Sequence, residues 1–161
     1  MRRVQLAFCA LLVVVGCKTA TLIPRAPIEV PPNLTLPQVE IALLAAITEK
    51  PVSIFLEESL EAETRSARSV RLAALGNRDR PRVGWFPEAL RPGRIVTTYR
   101  HGKRQLRVAI RYSRFEVTME LLGSENMRQT RNRIHGRALV WMSELESRIE
   151  QSLEAVAFLT S

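Results

Sequence analysis

Ser124, Asn126 and His135 are the residues of this chain whose types and spacing come nearest to chemistry. A serine hydroxyl activated by an imidazole is the arrangement of a hydrolytic nucleophile. The pattern stops short of one. The glycine pattern of a nucleophile elbow, G-x-S-x-G, is absent around Ser124, and no acid is placed to orient the imidazole. The same side chains serve equally well to satisfy loop and helix-end backbone groups. The other histidine, His101, stands beside Gly102-Lys103 in a turn pattern. Two histidines with no cysteine near them and no clustered Asp argue against a metal site, and no cofactor is expected. Gly76, Gly84, Gly93 and Gly102 are scattered singly, so no phosphate-cradling loop is present. The expectation is therefore no catalytic residue. Ser124, Asn126 and Trp141 are structural, and Arg128, Arg131, Arg133 and His135 are candidate contacts for an anionic ligand.

Cysteine chemistry is confined to the beginning of the chain, where Cys9 and Cys17 are the only two thiols. Arg2 and Arg3 precede an apolar stretch over residues 4–15, and the small residue Gly16 stands before Cys17. That is the layout of a secretory signal, and the stretch is too short to span a bilayer as a helix. The run Val14-Val15-Gly16-Cys17 resembles the lipobox of bacterial lipoproteins. The resemblance implies cleavage after residue 16 and acylation of Cys17, with the acyl chains serving as a membrane anchor. With Cys9 removed and Cys17 acylated, no disulfide is available, and the fold must rest on its own core. Lys18, standing where this class needs Asp for inner-membrane retention, implies the periplasmic side of the outer membrane.

The elements that must position the polar residues follow from periodicity. Residues 17–34 are rich in proline (Pro24, Pro27, Pro31, Pro32) and read as a lipidated tether. A single domain then occupies residues 35–161. Thr35-Leu36-Pro37-Gln38 has capping-box spacing, and Val39, Leu43, Ala46 and Ile47 recur at helical spacing as far as Pro51. Residues 53–75 read as a second helix within a helical insertion over 51–82, stopped by Gly76-Asn77. Alternation then predicts three strands. Their apolar faces are Ile95, Thr97 and Tyr99, then Leu106, Val108, Ile110 and Tyr112, then Phe115, Val117, Met119 and Leu121. Turns at Gly102-Lys103 and Ser113-Arg114 would set Leu106 opposite Leu121, Val108 opposite Met119 and Ile110 opposite Val117. They would also set Arg111 against Glu116 and Arg107 against Glu120. Asn132 is placed to cap a final helix whose buried stripe is Ile134, Ala138, Trp141, Leu145, Ile149, Leu153 and Val156. The expected fold class is α+β, a three-stranded antiparallel meander covered on one face by the N-terminal and C-terminal helices.

Residues 84–153 resemble a family of small bacterial outer-membrane lipoproteins. The resemblance rests on Gly84-Trp85, Pro92-Gly93, Ser124-Glu125-Asn126-Met127, Ile134-His135, and the later Trp141 and Leu145. The chain departs from that pattern at Met127, where the family has leucine. It departs again at Ala138-Leu139, where the family has Tyr-Asn, and near Gln129, where an aromatic is missing. The resemblance implies an α+β periplasmic domain and no particular activity.

Charge adds one constraint. The net charge is +8, of which Arg2 and Arg3 supply two, leaving +6 once the signal is removed. Residues 94–137 hold eleven Lys or Arg against three Glu. Arg100, Lys103, Arg104, Arg114, Arg128, Arg131 and Arg133 fall at hairpin tips and in the loop before the last helix, as one basic rim. Such a surface suits anionic partners, and export makes nucleic acid an unlikely one. The expected function is a non-enzymatic, lipid-anchored periplasmic domain that binds another envelope component, an envelope protein among the candidates. The alternatives are recognition of an anionic envelope polymer or lipid head group by the rim and, less favoured, hydrolysis by Ser124 and His135.

Overall fold

Pro37 lies in the first turn of helix α1 (Leu36–Thr48), where its missing N–H breaks no intrahelical bond. The Gln38 side-chain carbonyl accepts from the Thr35 N–H at 2.8 Å and from its hydroxyl at 2.9 Å, closing the helix start. At the other end Glu49 turns into the left-handed region and its N–H donates to the Ala45 carbonyl. Val39, Leu43, Ala46 and Ile47 are all buried. The computed structural model describes residues 19–21, 24–62, 83–130 and 133–161. The signal stretch, Cys17, Lys18, Arg131, Asn132, and the expected helix and loop over 63–82 lie outside the described residues.

Beyond α1 the described elements are helix α2 (Val52–Ala62), strands β3 (Val83–Arg91), β4 (Arg94–His101), β5 (Arg104–Tyr112), β6 (Glu116–Glu125) and β7 (Arg133–His135), and helix α3 (Gly136–Leu159). Two short strands precede α1: β1 (Thr19–Thr21) and β2 (Ile28–Glu29). The domain is α+β, but the three-stranded meander is not what forms. One antiparallel sheet has five strands in the order β2-β6-β5-β4-β3, and β1 pairs with β7 in a second, two-stranded sheet. Strand β3 escaped the alternation rule because Gly84 and Pro87 interrupt it. As an edge strand it tolerates the proline beside an irregularity in pairing between Pro87 and Ala89. Strand β2 is only two residues long and sits among prolines, so it carries no periodicity to read.

The β5–β6 register also differs from the expected one. Val108 lies opposite Leu121, Ile110 opposite Met119 and Tyr112 opposite Val117, a slip of two residues. The turn is centred on Arg114-Phe115, because the Ser113 hydroxyl accepts from the N–H groups of both Phe115 and Glu116 at 3.1 Å. From Val108 to Tyr112 the two-residue slip keeps each side chain on its face, so the apolar pattern could not detect it. Beyond the irregularity at Arg107 the offset grows to three, with Leu106 opposite Ser124. The slip does move Phe115 out of the core and into the turn, where it is 82% exposed. The expected charge pairs move too: Arg111 pairs with Glu120 at 3.0 Å, and Arg107 pairs with Glu88 of β3 at 2.8 Å. The Gly102-Lys103 turn does join His101 to Arg104, with Gly102 at the positive φ such a turn requires.

Residues 24–34 do not hang free. Ile28 and Val30 are 7% exposed and Leu34 only 1%. Ile28 pairs with Val117 at the sheet edge, and the Val30 N–H donates to the Phe115 carbonyl. Arg25 reaches across α3 to Glu146, to the Leu139 carbonyl at 3.1 Å and to the Ser143 hydroxyl at 3.0 Å. The proline-rich segment is a strap laid along the domain. Every residue of the expected α3 stripe is buried, although Ile134 belongs to β7 and the helix begins at Gly136.

Candidate functional site

Helices α1 and α3 run antiparallel over the sheet, so the molecule has two distinct ends. One end gathers the β4–β5 turn, the loop after β6, the β1–β7 pair and the first turn of α3. The loop after β6 is shaped by residues 126–128, where Asn126 and Arg128 adopt positive φ while Met127 is buried between them. The Asn126 amide donates to the Lys103 carbonyl at 2.6 Å, tying this loop to the β4–β5 turn. The His135 N–H donates to the Met127 carbonyl at 3.1 Å, tying the loop to β7. The Thr130 N–H donates to the Arg133 carbonyl at 2.8 Å. The Asn126 side chain is thus engaged in holding this loop.

Ser124 and His135 are each engaged elsewhere. The Ser124 hydroxyl donates to the Gln129 side-chain carbonyl at 2.8 Å. His135 is the N-cap of α3, and its Nδ1 accepts from the Arg137 N–H at 3.2 Å. Ser124 is bonded to Gln129 and not to His135. With Nδ1 accepting a hydrogen bond the imidazole proton lies on Nε2, so neither ring nitrogen stands ready as a base for the serine. Trp141 is buried against Tyr99, with ring centroids 4.4 Å apart, and Tyr99 in turn meets Trp85 edge-on at 5.2 Å. Gly84, at φ +132°, carries the chain into Trp85 in a conformation that an L side chain rarely adopts. Burial first, and then the nearby carboxylates of Glu144 and Glu49 against the opposing Arg148, raise the Tyr99 phenol above its ordinary value.

The expected rim is divided. Lys103, Arg104, Arg128 and Arg133 belong to the end just described, whereas Arg114 sits in the β5–β6 turn at the opposite end of the sheet. Arg100 leans toward Phe86 of β3, 6.0 Å from its ring centre. Arg137 joins the cluster without having been expected there. The signal was its position two residues after the histidine that starts the helix. Glu125, exposed at the end of β6, is a carboxylate on the same end.

The imidazole of His135 lies within the field of this cluster. His135 titrates below its ordinary value because of burial first, and then because Arg104, Arg137 and Arg128 oppose a further positive charge. A histidine depressed in the folded state binds its proton first in the unfolded chain. Stability should therefore fall as pH drops below about 6.5 toward the depressed value. Protonating Nδ1 would also remove the acceptor that caps α3. The expected result is a melting temperature that declines more between pH 7 and pH 5 in the wild type than in His135→Asn, which keeps a capping side chain. Parallel pH profiles would show that the imidazole is electrostatically idle.

Among the described residues no helix is long and apolar enough to cross a membrane, and no three His, Cys, Asp or Glu side chains gather as metal ligands. In comparisons with known proteins the chain matches no family model, no curated protein and no solved structure.

Proposed function

We propose that this chain is a lipid-anchored envelope domain of the periplasm that works by binding, with the basic end of the fold as its contact surface for a phosphate-bearing or otherwise anionic component. The observation that carries the reading is the convergence of Lys103, Arg104, Arg128, Arg133 and Arg137 from four separate elements onto one end, with three of them felt by His135. Elsewhere on the sheet Arg107 and Arg111 are matched by the carboxylates of Glu88 and Glu120. Among the described residues no ion pair is formed by the five at this end. The signal layout, the lipobox-like run before Cys17 and the resemblance of residues 84–153 to outer-membrane lipoproteins support the location.

Soluble polyphosphate provides a probe. Its affinity should fall steeply with added salt, because the attraction is screened and less entropy is gained on releasing the polyanion's counterions. Each surface cation contributes about 1 kcal/mol toward an anionic surface, so Arg128→Asn with Arg133→Gln should weaken binding by about 2 kcal/mol, on the order of 30-fold. Asparagine is chosen at 128 because it tolerates the positive φ of that position. Binding that ignores both salt and the double substitution would defeat the proposal. A purified chain whose Cys17 carries no acyl group would defeat the anchoring part of it.

A further inference from the structure

The spacing between the anchor and the first strand decides which anionic surface the basic end meets. Strand β1 starts at Thr19, two residues after Cys17, and is paired residue for residue with β7: Thr19 with His135, Ala20 with Ile134 and Thr21 with Arg133. Two residues span at most about 7 Å. Paired strands lie about 4.8 Å apart, so β7 is one strand further from the anchor. The segment that composition marks as a tether is strapped along α3 by Arg25 and into the sheet edge by Ile28. It therefore adds no reach.

We infer that the acylated domain sits flush on the leaflet that holds its lipid, with Lys103, Arg104, Arg128, Arg133 and Arg137 against the phosphate groups of anionic phospholipids. The inference rests on the proposed acylation of Cys17 and deepens the binding reading by naming the occupant of the basic end. Three features favour the membrane over a soluble polymer. The anchor and the cations share one end of the fold. The span available to residues 17–19 is comparable to the roughly 8 Å Debye length at physiological salt, so the head-group charge is only partly screened at this end. Tethering also holds the two surfaces at high effective concentration, so weak individual contacts suffice.

Ile134 points into the core, which leaves the alternate positions Arg133 and His135 on the outward side of β7. The opposite end then faces away from the bilayer. Residue 158, 84% exposed in the last turn of α3, lies roughly 33 Å along the helix from Gly136.

The orientation is measurable with the lipidated chain in nanodiscs of phosphatidylcholine, with or without phosphatidylglycerol. Once Cys17 is acylated and Cys9 is gone, Thr130→Cys and Phe158→Cys each offer a single labelling site. Thr130 is exposed beside the cationic loop. A fluorophore at residue 130 should be quenched by head-group nitroxide lipid several-fold more than one at 158 in the discs containing phosphatidylglycerol. The difference should shrink on phosphatidylcholine alone, at high salt, and in the chain carrying Arg104→Gln, Arg128→Asn and Arg133→Gln. Equal quenching at the two positions would overturn the flush orientation. So would a difference between them that is indifferent to lipid charge, salt and substitution alike, since the cations would then make no contact. Failure here alongside retained salt-sensitive polyphosphate binding would leave the binding reading standing. Failure of both would remove it.

Discussion

Replacing Leu34 by alanine is expected to cost the domain about 2–5 kcal/mol of stability, the range for emptying a buried leucine site. Leu34 lies before α1 in a stretch whose composition reads as a linker, yet it is 1% exposed and its N–H donates to the Pro31 carbonyl at 3.1 Å. It belongs to the same core cluster as Ile28, Val30, Val39 and Leu153, so the strap closes the core where β2, α1 and α3 meet. Neighbouring Pro27 is exposed and makes the control: Pro27→Ala should change stability by no more than about 0.5 kcal/mol. Urea unfolding followed by Trp85 and Trp141 fluorescence separates the two cases. A free tether would return near-zero values for both substitutions. A strap returns a large value for one and almost none for the other. The consequence reaches the proposed orientation, because a strap that is part of the fold cannot also lift the domain off a membrane.

What the chain discloses by inspection depends on how each element is stabilised. The α3 stripe from Ala138 to Val156 and the apolar faces of β4 and β5 were legible because a 3.6- or 2-residue period is imposed by burial on one side. The turn at Gly102-Lys103 was legible because positive φ demands glycine. The β5–β6 pairing was not, because slips of an even number of residues preserve the period and only the local bonds of Ser113 select between them. Strands β1 and β2 were illegible for a related reason. Three and two residues cannot show alternation, and they exist only because β7 and β6 offer unpaired edges to them. At the candidate site the types and approximate neighbourhood of Arg128 and Arg133 could be read. The displacement of Arg114 to the far end and the arrival of Arg137 follow from chain reversals that composition does not encode.

The second large effect should come from Trp141. Removing it as Trp141→Ala is expected to cost about 3–5 kcal/mol, and the loss should be felt unevenly. Its ring lies 4.4 Å from Tyr99 and 6.0 Å from His101, so this one side chain fastens the early turns of α3 to the end of β4. The arginines proposed to meet the membrane are held by loops at that same end, above this contact. Their placement depends on Met127, Asn126 and His135, which pack or bond against β4–β5 and α3. Loosening the helix start should therefore raise amide exchange first at residues 126–137, while the β5–β6 ladder stays protected until global unfolding. Trp141→Phe keeps a ring against Tyr99 and should recover most of the lost stability. If exchange instead rose uniformly, Trp141 would be filling volume without organising the basic end. If it rises locally, salt-sensitive binding should weaken in Trp141→Ala even where the domain is still folded, because five cations held at one end attract an anionic surface more strongly than the same five on a frayed loop.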